Sequence, residues 1–340
     1  VHQNARPIVP AELLALAPIR LANHRHDRFR GDAQRALLKD FDPDDRKLLG
    51  SIYQNLQTLL LDLRPWVGDD EPLRSALIRL GALREQVADD SAAFGRKTAQ
   101  GRAASHILQI IHDLRGGALF TLLLRWEIFA AAPEKSAGLS PFFFLVRDHL
   151  KIMRNCVGDL DPARFQADSG AKDHGAELLV EKWSNADFYG GIIPARIEFT
   201  CAYQGTVCES CLEFSTLDRI IYNLVNNAAR YADDHLVRFY ILPVPEGEPN
   251  GPENLRFVIG NHVAPGHRET LNSALGDLGQ LFQSDFTTGG HGIGTQIVGD
   301  FCAQAYGIME SETARKQGYF GARWLGDSFV AWFHWPIAGL

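Results

Sequence analysis

Near residue 165 the apolar residues of this chain change period. Upstream they recur at steps of three and four. Leu49, Ile52, Leu56, Leu59 and Leu63 form one run, and Leu73, Leu77, Leu80, Leu83 and Val87 a second. Ile107, Ile111, Leu114 and Ala118 form a third, and Val146, Leu150, Met153 and Val157 a fourth. Such steps line one face of a helix. Downstream, ARIEFTCAY, VCESCLEF, LVRFYILPV, LRFVIGNHV and SFVAWFHWP are rich in β-branched and aromatic residues and read as strands. Helical stretches at about 216–232 and 293–306 lie between them. A chain that is all helix for half its length and mixed thereafter is multidomain. The expected order is an all-α N-terminal region (1–95), a helical hairpin (96–165) and a two-layer α+β domain (166–340).

Local signals sharpen the helical half. Asp42-Pro43 offers a side-chain cap and a proline at the first helical position, and Pro65 ends that run. The turn-rich segment AAPEKSAGLSP separates the third and fourth stripes, and Ser140-Pro141 starts a new helix. Two helices with matching stripes and a short loop make an antiparallel hairpin. One hairpin buries one face, so two copies are expected to pair through residues 105–160 into a four-helix homodimer.

Composition excludes several classes. With 34 basic and 41 acidic residues the formal charge is −7, so the basic footprint of a nucleic-acid binder is missing. Apolar runs such as Phe142-Phe143-Phe144-Leu145-Val146 fall far short of the roughly 20 residues that cross a bilayer. No membrane segment is expected in this chain, and its expected place is the cytoplasm, on its own or as the soluble part of a longer protein. The sparse cysteines Cys156, Cys201, Cys208, Cys211 and Cys302 fit a reducing compartment. Cys208-Glu-Ser-Cys211 has the spacing of half a zinc site but lacks a second pair. These cysteines read as small apolar residues on neighbouring strands.

Three short stretches carry chemistry. In HDLRGG, His112 and Asp113 precede Gly116 and Gly117, each of which costs about 1 kcal/mol in a helix interior. His112 lies one residue, about 100° of rotation, from the centre of its stripe, at the edge that solvent reaches. In NLVNNAARY, Asn223 and Asn227 share a helix face and Arg230 follows one turn on. Amide oxygens can hold Mg²⁺ or its waters, and a guanidinium can meet phosphate. In TTGGHGIGTQIV, Gly290, Gly292 and Gly294 precede an apolar helical run, where backbone N–H groups and a helix N-terminus favour phosphate. The turn has neither a Walker lysine nor the preceding strand of a Rossmann fingerprint.

In this order the three elements, with FVAWFHWP as a closing strand, resemble the two-component sensor histidine kinases from about residue 95 to the end. The resemblance implies a phosphoacceptor hairpin followed by a GHKL-type ATP-binding domain, with ATP and Mg²⁺ bound. His112 would take the γ-phosphoryl group, and Asp113 would accept or orient the proton on the other ring nitrogen. Asn223 and Asn227 would organise Mg²⁺ and Arg230 would lie near the phosphates. Tyr231 would line the nucleotide site, and Gly290, Gly292 and Gly294 would wrap the phosphates. Asn261 stands where the family has an aspartate that accepts from the adenine amino group. The phosphoryl group would pass to an aspartate on a response-regulator receiver domain.

The chain departs from that family in places. Water-activating ATPases of the same fold carry a glutamate at the position of Asn223, so transfer to histidine is favoured over hydrolysis. Thr287-Thr288-Gly289 alone separates Phe286 from Gly290, a short lid. Gly116 and Gly117 replace the family's Thr or Asn and its proline, which implies little phosphatase activity and permits a helix bend. Leu119, Leu122 and Leu123 read either as a docking surface for the regulator or as bundle packing. Two other readings follow from Asn261 and the lid: a histidine phosphotransfer protein with a degenerate nucleotide domain, or a regulatory scaffold. Asn223, Asn227 and the His112-Asp113 pair favour the kinase.

Overall fold

Asp42 does cap the first long helix, Pro43–Leu63: its carboxylate accepts from the Asp44 N–H at 2.9 Å, and Pro43 takes a position where no N–H is needed. Leu49, Ile52, Leu56, Leu59 and Leu63 are all buried, as their spacing predicts. The structure, a computed structural model, describes residues 10–16, 21, 35–64, 81–101, 103–131, 139–184, 186–189, 193–244, 254–282 and 293–337. Leu73, Leu77 and Leu80 of the second run lie outside them. Further helices are Gly81–Ala93, Arg96–Gln100, Ser105–Arg115, Gly117–Ala131, Leu139–Cys156 and Pro162–Ser169. Buried Asp45 ties two of them together, accepting from the Gly95 N–H at 2.9 Å, the Thr98 N–H at 2.7 Å and the Thr98 hydroxyl at 2.6 Å. Asp161 accepts from the Tyr53 hydroxyl at 2.9 Å while capping Pro162–Ser169.

The chain divides into two compact units, Gly31–Gly170 and Ala171–Leu340 with Val1–Arg30. These cut the sequence differently from the three regions 1–95, 96–165 and 166–340. Helix Pro43–Leu63 packs against Gly81–Ala93 and against Leu139–Cys156, so the hairpin's apolar surface is covered in part by its own chain. An apolar stripe is filled by whichever matching stripe the chain can deliver, and one on the same chain is present at high effective concentration. Leu119 and Leu122 are fully buried here, which resolves them as bundle packing. One helical stretch among the described residues, Ser105–Ile128, is long and apolar enough to cross a membrane, against the sequence expectation. About half of it is buried within the protein, as in the core helix of a bundle.

The second unit is built on a six-stranded sheet of order β2-β3-β5-β6-β8-β7. Its strands are β2 (Asp187–Phe188), β3 (Ala195–Cys201), β5 (Leu236–Val244), β6 (Asn254–His262), β7 (Phe320–Leu325) and β8 (Ser328–Pro336). β3 and β5 run parallel and the other pairs antiparallel. A separate two-stranded sheet pairs β1 (Ala171–Gly175) with β4 (Thr206–Ser210). Alternation along the strands gives the main sheet two faces. On one, Phe239, Phe257 and Phe333 stack at 6.4 and 4.7 Å, and Trp183 and Tyr222 pack on this layer. Helices Cys211–Tyr231 and Ile293–Ala305 cover that face and touch where the Arg219 guanidinium lies 4.2 Å from the Phe301 ring centre. The segment VCESCLEF, expected as strand, is strand only through Ser210. The Ser210 hydroxyl accepts from the Glu213 N–H at 3.2 Å and starts a helix. Cys211 therefore sits in a helical first turn and not on a strand, 3.2 Å from the Nε2 atom of buried His174.

Candidate functional site

The helix carrying His112 ends at Gly116, whose backbone leaves the helical region at φ −97° and ψ −159°; the next helix starts at Gly117. The bend that two glycines permit is thus present. The Gly116 N–H donates to the His112 carbonyl at 2.8 Å, and a Cβ at residue 116 would lie 3.0 Å from that oxygen. His112 Nδ1 lies 3.5 Å from Asp113 Oδ1. The histidine side chain is 23% exposed and the carboxylate 4%, so the pair straddles the surface of the bundle. A proton held on Nδ1 beside a carboxylate puts the ring's lone pair on Nε2, the atom a nucleophilic imidazole needs.

His149 is a neighbour that sequence reasoning missed. It is fully buried, and neither ring nitrogen has a hydrogen-bond partner. Burial drives its pKa down to about 3, against the opposing pull of the Asp113 carboxylate, so it is neutral in the folded protein. Its one sequence signal is position, next to Leu150 of the fourth apolar stripe.

In the second unit, Asn223 is buried and Asn227 half-buried one turn further along helix Cys211–Tyr231. The Asn223 amide N–H donates to the Arg219 carbonyl at 2.9 Å, which turns its oxygen the other way. Amide oxygens are ligands that a hard cation or its waters take. Arg230 is exposed, with its guanidinium 5.6 Å from the Tyr231 ring centre, and a guanidinium is a group that meets phosphate oxygens. Tyr231 stacks on His267 at 4.4 Å with the rings 11° apart. His267, which sequence reasoning also missed, is the third residue of helix Pro265–Ala274, and burial lowers its pKa.

Asn261 is buried near the end of β6, opposite Val237 and Phe329 in the ladder. It shares the face of Phe257 and Ile259, the face that helix Cys211–Tyr231 covers. Its amide N–H donates to the His262 carbonyl at 3.0 Å, leaving its oxygen as the acceptor. Gly294 lies in the first turn of helix Ile293–Ala305. Gly290, Gly292 and the short lid from Phe286 to Gly289 fall outside the described residues. The structure thus puts Asn223, Asn227, Arg230, Tyr231, Asn261 and Gly294 in one compact unit and His112 and Asp113 in the other.

No known protein family and no curated protein matches this chain. Among solved structures it is similar to full-length ShkA in complex with AMPPNP, with 17% identity and a TM-score of 0.32, over 84% of this chain and 46% of that one. It is also similar to the Acinetobacter baumannii histidine kinase AdeS, with 11% identity and a TM-score of 0.27, over 67% of this chain and 98% of that one. The chain spans less than half the length of the ShkA chain. The resemblance to sensor histidine kinases rests on the order of this chain's own residues: His112-Asp113, then Asn223 and Asn227, then the glycine turn.

Proposed function

We propose that this chain is an ATP-dependent protein-histidine kinase that phosphorylates His112 and passes the group to an aspartate on a response-regulator receiver domain, acting as a homodimer through residues 105–160. The observation that carries the reading is the His112–Asp113 pair: a partly exposed imidazole whose Nδ1 lies 3.5 Å from a buried carboxylate at a helix break. Asp113 holds the Nδ1 proton and fixes the ring, so Nε2 attacks the γ-phosphorus while the bond to the ADP oxygen breaks. The imidazolium proton stays on Nδ1, shared with Asp113. The amide oxygens of Asn223 and Asn227 and the Arg230 guanidinium orient the triphosphate, and the Asn261 oxygen accepts from the base. When bound at these amides, Mg²⁺ supplies neutralisation of the phosphate charge. An amide at residue 223 is no base for water, which favours transfer to the imidazole over hydrolysis.

The test is incorporation of label from ATP labelled at its γ-phosphate, in the full chain and in His112→Ala and Asn227→Ala. Acid-labile label that both substitutions abolish supports the reading. ATP binding and label both missing would refute it and favour a second reading, a phosphotransfer protein charged by another kinase. The observation behind that alternative is Asn261, an uncharged amide that already donates to the His262 carbonyl.

A further inference from the structure

The face of the main sheet opposite the helices is occupied. Strand alternation points Leu242, Arg256, Val258, Val330, Trp332 and His334 to this side. Residues 10–16 lie on it: Leu13 and Leu16 are buried in one cluster with Leu242, Val258, Val330 and Trp332. The segment is a five-residue helix, Pro10–Leu14, with one further turn. Its last carbonyls meet cations. Arg256 Nη1 donates to the Leu13 carbonyl at 2.8 Å and closely to that of Leu14, and Arg323 Nη2 reaches the Ala15 carbonyl at 3.5 Å. These are the last carbonyls of a helix, the negative end of its dipole. His334 aims the guanidinium: its Nδ1 bonds the Tyr319 carbonyl at 2.9 Å, so Nε2 accepts from Arg256 Nε at 2.9 Å.

We propose that this face is a docking site for the C-terminal turn of a short amphipathic helix with leucines three apart, and that residues 10–16 are its detachable occupant within the same chain. Recognition falls on two leucines and on main-chain carbonyls, which a helix end exposes whatever its other side chains. Detachability follows from the balance of forces. A helix of five residues is far below the length that is stable alone. Arg256 is fully buried with no carboxylate partner among the described residues, and its Nη2 atom has no acceptor. Trp332 Nε1 is in the same position. Desolvating a guanidinium whose Nη2 has no acceptor offsets part of what its bonds to the Leu13 and Leu14 carbonyls supply, which keeps the hold weak enough to release. Docking reaches the nucleotide side through one strand, because β6 carries Arg256 on the outer face and Asn261 on the helix face.

The test uses the full chain with Leu13→Asp and Leu16→Asp together, and a labelled synthetic peptide of residues 8–18. The expected result has three parts. Amides 255–258 and 330–334 exchange at least tenfold faster than in wild type while cooperative unfolding is kept. The peptide binds the variant but not, at the same concentration, the wild-type chain, whose face is filled. Adding Arg256→Met weakens peptide binding at least tenfold. Unchanged exchange, or a peptide that binds neither chain, would overturn the proposal. So would loss of cooperative unfolding in both the double variant and the milder Leu16→Ala, since the segment would then be fixed core. None of these readouts depends on ATP or on label at His112, so the proposal and the kinase reading stand or fall separately.

Discussion

Gly95→Ala is expected to destabilise the helical unit by about 2–5 kcal/mol, and the amount divides into two physical parts. Gly95 sits at the N-terminal cap of helix Arg96–Gln100 with φ +81° and ψ −6°, the left-handed region, where an L side chain costs roughly 1–2 kcal/mol. A Cβ there would also lie 2.3 Å from Ile111 Cγ2 and 3.3 Å from Cγ1 and Cδ1. Relief requires a shift of more than 1 Å in a packed interior, typically about 1–3 kcal/mol. The backbone cannot simply yield, because the Gly95 N–H is held by buried Asp45 at 2.9 Å. The two parts separate experimentally, since leucine lacks the Cγ2 branch of isoleucine. In an Ile111→Leu background the same glycine substitution should cost only the conformational part, about 1–2 kcal/mol, giving a coupling of about 1–3 kcal/mol. Urea unfolding of the four chains, followed by helical circular dichroism, measures both. A cost below about 0.5 kcal/mol, or an equal cost in both backgrounds, would refute the argument from the Ile111 contact. The contact matters beyond stability because Ile111 immediately precedes His112.

Acid should weaken both units. His149 and His334 are buried and held neutral, each with a pKa pushed down from 6.5 to about 3, while the unfolded chain protonates them normally. Below pH 6.5 the unfolded state therefore binds more protons, and stability falls by about 1.4 kcal/mol per pH unit per histidine as pH drops towards 3. Unfolding midpoints that stay flat between pH 6.5 and 5 would contradict this, whereas His149→Gln should flatten the helical unit alone. Asp218→Ala should cost about 3–5 kcal/mol, because the Lys182 ammonium, 2.6 Å from that carboxylate and buried, loses its counter-ion. Replacing both, Lys182→Met with Asp218→Leu, should recover most of the loss in the same assay. Removing the Gly116 break with Gly116→Ala and Gly117→Ala together should lower label on His112 without lowering ATP binding, a split that filter binding and phosphorylation report separately.

The strands ARIEFT, LVRFYILPV and SFVAWFHWP were legible because β-branched and aromatic residues crowd them, and the long helices because three-and-four spacing survives in Leu49–Leu63 and Ile107–Ala118. The start of helix Cys211–Tyr231 was not, since Val207, Cys208 and Cys211 look strand-like until the Ser210 cap and the Glu213 carboxylate, which accepts from the Glu209 N–H at 2.7 Å, are seen together. Helix Pro265–Ala274 escaped notice because most of its surface is polar and only Leu271 is buried. Among the candidate site residues, Asn223 and Asn227 stand out by their spacing. His149 and His267 do not, because a histidine's burial and its neighbours come from other elements.

By itself the sequence determined the long helices of the first half and most strands of the main sheet, where His112 sits on its helix, and that Gly116 would allow a bend. These are local properties, fixed by the period of apolar residues and by what each backbone can adopt. Only the tertiary structure decided that the first helices pack on the hairpin, that Leu119 and Leu122 are interior, and that β3 pairs in parallel with β5. It alone seated Leu13 and Leu16 on the far side of the sheet, more than two hundred residues along the chain from Arg256. A period says which face of an element is apolar, but any apolar face will do as its partner. The choice among partners is made when all the faces, loop lengths and buried charges are satisfied at once.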